Sequence, residues 1–207
     1  MTAWVLATAN PHKAREMRAV LASLGIVVEP RPAGLADVDE TSDTLEGNAL
    51  LKARAIATAT GRTAVADDTG LFVDALDGQP GVRSARYAGD DASDEQNVAK
   101  LLGELVGRVG TQERSAQFRT VIAVVTPDGD ELVVAGQLDG WIEASPRGEH
   151  GFGYDPVFAS SVLAGRTLSE VGAEEKNQVS HRARALRQLV KVLADRDQGE
   201  GSRSSHP

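Results

Sequence analysis

The sequence predicts an α/β fold around a mixed, twisted sheet, and three observations carry that reading. An apolar run over residues 4–7 leads through Thr8, Asn10 and Pro11 into apolar residues at helical spacing, the pattern of a strand, a tight loop and a helix. Ser93 stands three positions before Gln96 and just ahead of the stripe Val98, Leu101, Leu102 and Leu105, a capping box opening a helix. Two long strand candidates, residues 114–126 and 131–143, flank Pro127, Asp128, Gly129 and Asp130, whose turn chemistry folds them into an antiparallel hairpin. Units of strand and helix combined with a long hairpin need a sheet of mixed direction flanked by helices.

Taken in order, the first helix puts Ala14, Met17, Val20, Leu21 and Leu24 on one face, with Asn10 as its cap and Pro11 as its first residue. The loop before it is expected to point free N–H groups outward, an end that suits an anion. A second helix spans about residues 44–60, with Leu45, Ala49, Ala53 and Ile56 sharing a face and Gly61 ending it. Residues 64–66 read as a short strand, and Asp67 and Asp68 follow it directly. After the third helix, the hairpin and a Gly-rich loop, a last helix opens near Ser180 and carries Leu186, Leu189, Val190 and Leu193 on one face. From Asp197 onward the apolar periodicity stops. The expected organisation is one α/β domain over residues 1–196 and a disordered tail over 197–207.

Composition bounds the function. The chain has 207 residues, 41% hydrophobic and 25% charged, enough for a conventional core. No apolar run approaches the roughly 20 residues that span a bilayer, and no charged-then-apolar leader opens the sequence, so a cytoplasmic location without a membrane partner is expected. A formal net charge of −8 disfavours binding to nucleic acid, which depends on a basic field. It leaves a small polyphosphate open, because such a ligand needs only a few local cations, backbone N–H groups and a metal ion. With no cysteine and only four histidines, none paired at zinc-binding helical spacing, a zinc site is not expected.

Four segments could carry chemistry. Thr8, Ala9, Asn10, Pro11, His12 and Lys13 could cradle phosphate, although alone they fit a capped helix better. Asp37, Asp39 and Glu40 share one loop, and Asp67 and Asp68 stand at what reads as a strand end. Adjacent carboxylates repel unless a cation or solvent relieves them, and all-oxygen ligands suit Mg2+. In residues 148–156 glycines on both sides of Phe152 free the backbone to present an aromatic face and a carboxylate to a planar base, or the ring simply caps the core. Lys176, His181 and Arg182 lie near the start of the last helix, where cations could read phosphate or a carbonyl oxygen, although alone the segment fits a charged, solvated helix end better.

Together these segments resemble the inosine triphosphate pyrophosphatase family, the non-canonical purine NTP pyrophosphatases. The motifs stand here as ATANPHKAREM, LEGNALLKARA, AVADDTGLFVDALDGQPGVRSARYAG, FGYDPVF and SEVGAEEKNQVSHRARAL, in the family's order over about residues 4–193. Two departures are Ala9, where the family usually has Gly, and Thr69, where it often has Ser.

The resemblance implies an elongated fold of two lobes around a central cleft, acting as a homodimer on a nucleoside triphosphate. Carried over by position, Thr8, Ala9, Asn10, Pro11, His12 and Lys13 contact the triphosphate, with Lys52 as a further phosphate ligand. Glu40 and Asp68 serve Mg2+, and Asp68 is also the proton acceptor. Thr69, Phe152, Gly153, Tyr154, Asp155, Lys176, His181 and Arg182 are the remaining substrate contacts. The implied reaction is attack of water on the α-phosphorus of ITP, dITP or XTP with pyrophosphate leaving. Arg182 is expected to donate to O6 of the base, an acceptor that adenine lacks. Two other readings stay open here, a pyrophosphatase for modified pyrimidine or other house-cleaning nucleotides and a non-catalytic nucleotide-binding regulator. The intact pair Asp67–Asp68 argues against the second.

Overall fold

In the computed structural model, which describes residues 3–203, the chain opens with strand β1 (Trp4–Leu6), helix α1 (Pro11–Ser23), strand β2 (Val28–Glu29) and helix α2 (Leu45–Thr60). Strand β3 (Ala64–Val73), strand β4 (Pro80–Gly81) and helix α3 (Asp94–Glu104) follow. The hairpin strands β5 (Ser115–Val125) and β6 (Glu131–Ile142), strand β7 (Phe158–Ala159) and helices α4 (Ala173–Val179) and α5 (His181–Arg203) complete it. Seven strands form one mixed sheet in the order β2-β1-β3-β5-β6-β7, with β4 paired to β3. β1 runs parallel to β2 and β3, while β3, β5, β6 and β7 pair antiparallel.

The helix boundaries follow their caps. Asn10 Oδ1 accepts from the backbone N–H of His12 and Lys13 at 2.9 and 3.2 Å. Thr44 caps α2, Gly61 ends it in the left-handed region, and Ser93 and Gln96 close the capping box of α3. The hairpin strands fall within one residue of their expected limits.

Three differences matter. β3 does not stop at residue 66: it runs ten residues to Val73, paired with β5 from Ala64 opposite Val125 to Val73 opposite Ala116. Asp67 and Asp68 are therefore mid-strand, because distant cations relieve the repulsion that implied a strand end. Helix α4 precedes α5, and extended backbone at Ser180 (φ −63°, ψ 158°) separates the two. Finally, α5 continues to Arg203, past residue 197, since propagation of an established helix gains one hydrogen bond per residue without needing an apolar face. Residues 204–207 of the expected tail lie outside the described residues.

Strand alternation then builds the cleft. Ala64 and Ala66 pack with Ala49, Ala53 and Ile56 of α2. Val65, pointing the other way, packs with Met17 and Leu21 of α1 and with Leu186 and Leu189 of α5. Further along that second face, Leu71 and Val73 join Leu101 and Leu105 of α3 with Phe118 and Phe158. Residues 67 and 69 lie between these two clusters, at the junction of the two lobes. Gly136 fixes the approach of α5 to the sheet, because a Cβ there would stand 2.3 Å from both the carbonyl oxygen of His181 and the amide nitrogen of Ala185.

Candidate active site

The centre of the site is the pair Asp67 and Asp68, which one strand sends to opposite faces. Asp67 is wholly buried, and its Oδ2 meets Arg182 Nε at 3.1 Å and Lys13 Nζ at 3.3 Å. Burial opposes its ionisation, but Lys13, Arg182 and Lys52 outweigh that and hold the carboxyl well below the usual range. Asp68 points toward α2, where its Oδ1 accepts from Lys52 Nζ at 2.9 Å. The same Nζ donates to Glu40 Oε1 at 2.8 Å, and Arg86 Nη1 meets Glu40 Oε2 at 3.3 Å. Here burial prevails: helped by the nearby charge of Glu40, it raises the Asp68 carboxyl above its ordinary value despite Lys52 and Lys13.

A second network lines the opposite wall. Arg182, 2% exposed, reaches Asp67 with Nε, Glu16 with Nη1 and Thr69 Oγ1 with Nη2 at 3.2 Å. Lys176 is also buried and joins Glu16 Oε1 at 2.7 Å to Asp155 Oδ2. Asp155 in turn accepts from the backbone N–H of Phe152 at 2.9 Å, so it holds the loop rather than presenting a free carboxylate. Gly151 is required there, with φ +81° and space for a Cβ only 2.2 Å from Asp155 Oδ2. His181 stacks on Phe118 at 4.6 Å and shares a hydrogen bond with Thr120 Oγ1 at 2.6 Å. Burial, with Arg182 and Lys176 beside it, keeps this imidazole neutral.

Most of the residues singled out from sequence converge on one cavity of about 130 Å³. Asn10, Lys13, Glu40, Asp68, Thr69, Phe152, Gly153, Tyr154, Asp155, Lys176, His181 and Arg182 all line it. Lys52 reaches it through Glu40 and Asp68. Thr8 supports the loop, its Oγ1 accepting from Asn10 N–H at 3.2 Å. Ala9 and Pro11 are exposed on that loop, and His12 turns its ring onto Phe152. One expectation changes. The N–H groups of His12 and Lys13 are taken by Asn10, so the positive field facing the cavity comes from the side chains of Lys13, Lys176 and Arg182. Tyr154 lines the cavity while its hydroxyl donates to the Ser84 carbonyl at 2.9 Å, so its ring also packs in the core.

Glu16, Thr120 and Phe118 belong to the same constellation and were not read from the sequence. Glu16 had a signal, since it lies three residues after Lys13 and thus on the same side of α1. Thr120 and Phe118 become visible only through the register that sets them opposite Thr69 and Leu71.

The donor set fits a hard divalent cation. Asp67 Oδ1 and Asp68 Oδ2 are both buried without a hydrogen-bond partner, but of these two carboxylates only Asp68 lines the cavity, and Glu40 and Asp68 converge on one positive charge. Among the described residues no group of three or more His, Cys, Asp and Glu could hold a metal by itself. Two carboxylates completed by phosphate oxygens and water are the usual Mg2+ arrangement. No helix among the described residues is long and apolar enough to cross a membrane.

Comparison with known proteins places this geometry among relatives. The model of the Ham1 family matches residues 4–192. The chain is 49% identical over 187 residues to a dITP/XTP pyrophosphatase of Geobacillus kaustophilus (strain HTA426), covering 89% of this chain and 91% of that protein. It is 47% identical over 191 residues to a dITP/XTP pyrophosphatase of Streptococcus pyogenes serotype M18 (strain MGAS8232), covering 91% of this chain but 58% of that longer protein. A solved HAM1 protein from Coxiella burnetii superposes with a TM-score of 0.83 at 41% identity, over 94% of this chain and 100% of that one.

Proposed function

The chain belongs to the Ham1 family, and from that premise we propose that it hydrolyses ITP, dITP and XTP to the monophosphate and pyrophosphate, with Mg2+ as cofactor. The motif resemblance and the names of the relatives agree on this substrate class. One observation carries the reading: a single cavity joins a carboxylate–lysine cluster, Asp68 with Lys52 and Glu40, to an aromatic loop at Phe152 backed by Lys176 and Arg182.

In this reading the triphosphate lies along the loop of Thr8, Ala9, Asn10 and Pro11, with Lys13 and Lys52 opposing its charge. Glu40 and Asp68 would hold Mg2+, which would supply positive charge against the phosphate oxygens. Asp68 accepts a proton from the water that attacks the α-phosphorus, and the bond to the leaving pyrophosphate breaks as the new P–O bond forms. Of Asp67 and Asp68, Asp68 is the one that lines the cavity and so the one within reach of the substrate. Asp67, held ionised, keeps Lys13 and Arg182 in place. The base meets Phe152, and Arg182 retains N–H donors beyond those given to Asp67, Glu16 and Thr69, enough to meet O6. Adenine offers an amino group there and leaves such a donor unpaired.

A homodimer, on the strength of the family resemblance, and a single α/β domain over residues 1–196 with a cytoplasmic location, on the sequence reading, complete the proposal. Light scattering on purified protein checks the dimer. The function is tested by a panel of ITP, dITP, XTP, GTP, ATP and modified pyrimidine triphosphates with Mg2+, with phosphate and pyrophosphate measured separately. Pyrophosphate release from the first three at rates well above ATP and GTP is expected. Preferential release from a pyrimidine triphosphate, or orthophosphate as the sole product, overturns it.

A further inference from the structure

We propose that His12 is a positioning residue for base binding, clasping the phosphate-loop helix α1 to the aromatic loop at Phe152; the proposal rests on the nucleotide reading above. The imidazole and phenyl rings stack with centroids 5.1 Å apart and planes 25° from parallel. The His12 backbone is fixed by the Asn10 cap, so the imidazole moves with α1. The same helix reaches the Phe152 ring a second way. Glu16, one turn on, pairs with Lys176 and Arg182, and those cations lie 4.7 and 5.8 Å from the ring centroid.

Phe152 is a partition between two spaces. It lines both the 130 Å³ cavity and a neighbouring cleft of about 480 Å³. Lys176 and Arg182 line the cavity and not the cleft, whereas His12 lines the cleft and not the cavity. His12 therefore backs the ring on the side away from the site. Without it, the ring loses the support that keeps it from swinging toward the cleft. At Phe152 and Gly153 the loop is held through its backbone, Phe152 N–H to Asp155 Oδ2 at 2.9 Å and Gly153 N–H to Asp94 Oδ2 at 2.7 Å, and neither bond fixes the torsion of the Phe152 side chain. Base stacking is thus set by a residue of the phosphate loop, although His12 stands next to Lys13 and reads from sequence as one more phosphate contact.

The experiment uses the full chain with His12→Ala, His12→Phe and His12→Lys. It measures kcat and KM for ITP, calorimetric binding of inosine monophosphate, and inhibition by tripolyphosphate. For His12→Ala, KM for ITP and Kd for inosine monophosphate should rise between about two- and tenfold, the range of one aromatic pair. Its kcat should stay within about twofold and its tripolyphosphate inhibition unchanged, because only uniform base binding is lost. His12→Phe should restore KM and Kd, and His12→Lys should not. Rescue by Lys and not by Phe, a matching loss of tripolyphosphate inhibition, or unchanged binding in His12→Ala each overturns the clasp. Wild-type protein that binds inosine monophosphate yet releases no pyrophosphate from ITP overturns the proposed reaction instead, and the binding series still decides the role of His12.

Discussion

Asp67 and Asp68 are neighbours in the chain, identical in chemistry and both buried, yet their surroundings drive them apart. Asp67 faces α1 and α5 and meets two cations directly, Lys13 and Arg182; Asp68 faces α2 and shares a single lysine with Glu40. The first carboxyl is held well down and the second is pushed up. A period of two along a strand is enough to do this, since it sends adjacent residues to different helices and so to different counter-charges. Each keeps one buried oxygen without a partner, but the well-compensated member holds the walls of the cleft together, and only the under-compensated one lines the cavity. Carboxylates whose values are pushed apart are a recurring arrangement in sites that separate a proton acceptor from a fixed charge.

Asp68→Asn should break the comparison from the catalytic side and give the largest effect. Pyrophosphate release from ITP should fall by roughly 100- to 10,000-fold, the usual contribution of a positioned proton acceptor. Its melting temperature without divalent cation should equal or exceed that of the wild type, because the substitution removes a charge that burial disfavours. A folded Asp68→Asn protein with near-normal turnover would remove Asp68 from the mechanism. Asp67→Asn should show the reverse emphasis, losing about 3–5 kcal/mol of stability, as when one member of a buried ion pair is removed. An unchanged denaturation midpoint for Asp67→Asn would end its assignment as the structural member.

The pH dependence of those two variants sharpens the contrast. A lowered carboxyl such as Asp67 contributes stability above its unfolded value, and that contribution is lost as pH falls through the folded value. The wild type should therefore exceed Asp67→Asn most near neutrality, with the gap narrowing below about pH 4, where the unfolded carboxyl titrates. Asp68 has the opposite sign. Its raised carboxyl favours the fold only while protonated, so any advantage of Asp68→Asn over the wild type should appear as pH rises through the folded value and vanish in acid. Thermal melts across acid to neutral pH in chelator check both, and parallel curves for the two variants would erase the distinction.

Much of the frame was legible beforehand because the signals are local. Asn10–Pro11, Thr44, Gly61 and the Ser93–Gln96 box each act within one helical turn, and the hairpin turn at residues 127–130 declares itself through Pro, Asp and Gly. The extent of β3 was not legible. Two carboxylates in an apolar run argue for a strand end unless counter-charges from residues 13, 52 and 182 are known to converge, and sequence separation hides them. Helix α4 escaped notice because seven residues are too few to show a period. The sequence around Arg182 fits a ligand-facing group or a solvated helix end, and the structure makes Arg182 both a cavity wall and the centre of a buried network. Its replacement by Ala therefore tests stability along with base choice, since Asp67 and Glu16 would each lose a cation.

The smallest predicted effect lies at Thr69, next along β3 and on the face of Asp67. Its Oγ1 lies 2.7 Å from Thr120 Oγ1, accepts from Arg182 Nη2 at 3.2 Å and donates to Asp67 Oδ2 at 3.3 Å, so the hydroxyl belongs to the structural half of the comparison. Ser keeps all three partners and loses one methyl group from a half-buried position. Thr69→Ser should therefore lower stability by no more than about 1 kcal/mol, near the value of one buried methyl or methylene, and leave KM and kcat for ITP within about twofold. Thr69→Val keeps the shape and removes the hydroxyl. It should lower stability by about 1–3 kcal/mol through unpaired polar groups on Arg182 and Thr120. If Thr69 belonged to the reacting half, Val would reduce kcat as Asp68→Asn does while leaving the denaturation midpoint in place. A midpoint that falls for Val and holds for Ser, with kcat changing little in either, assigns the hydroxyl to the network around Asp67.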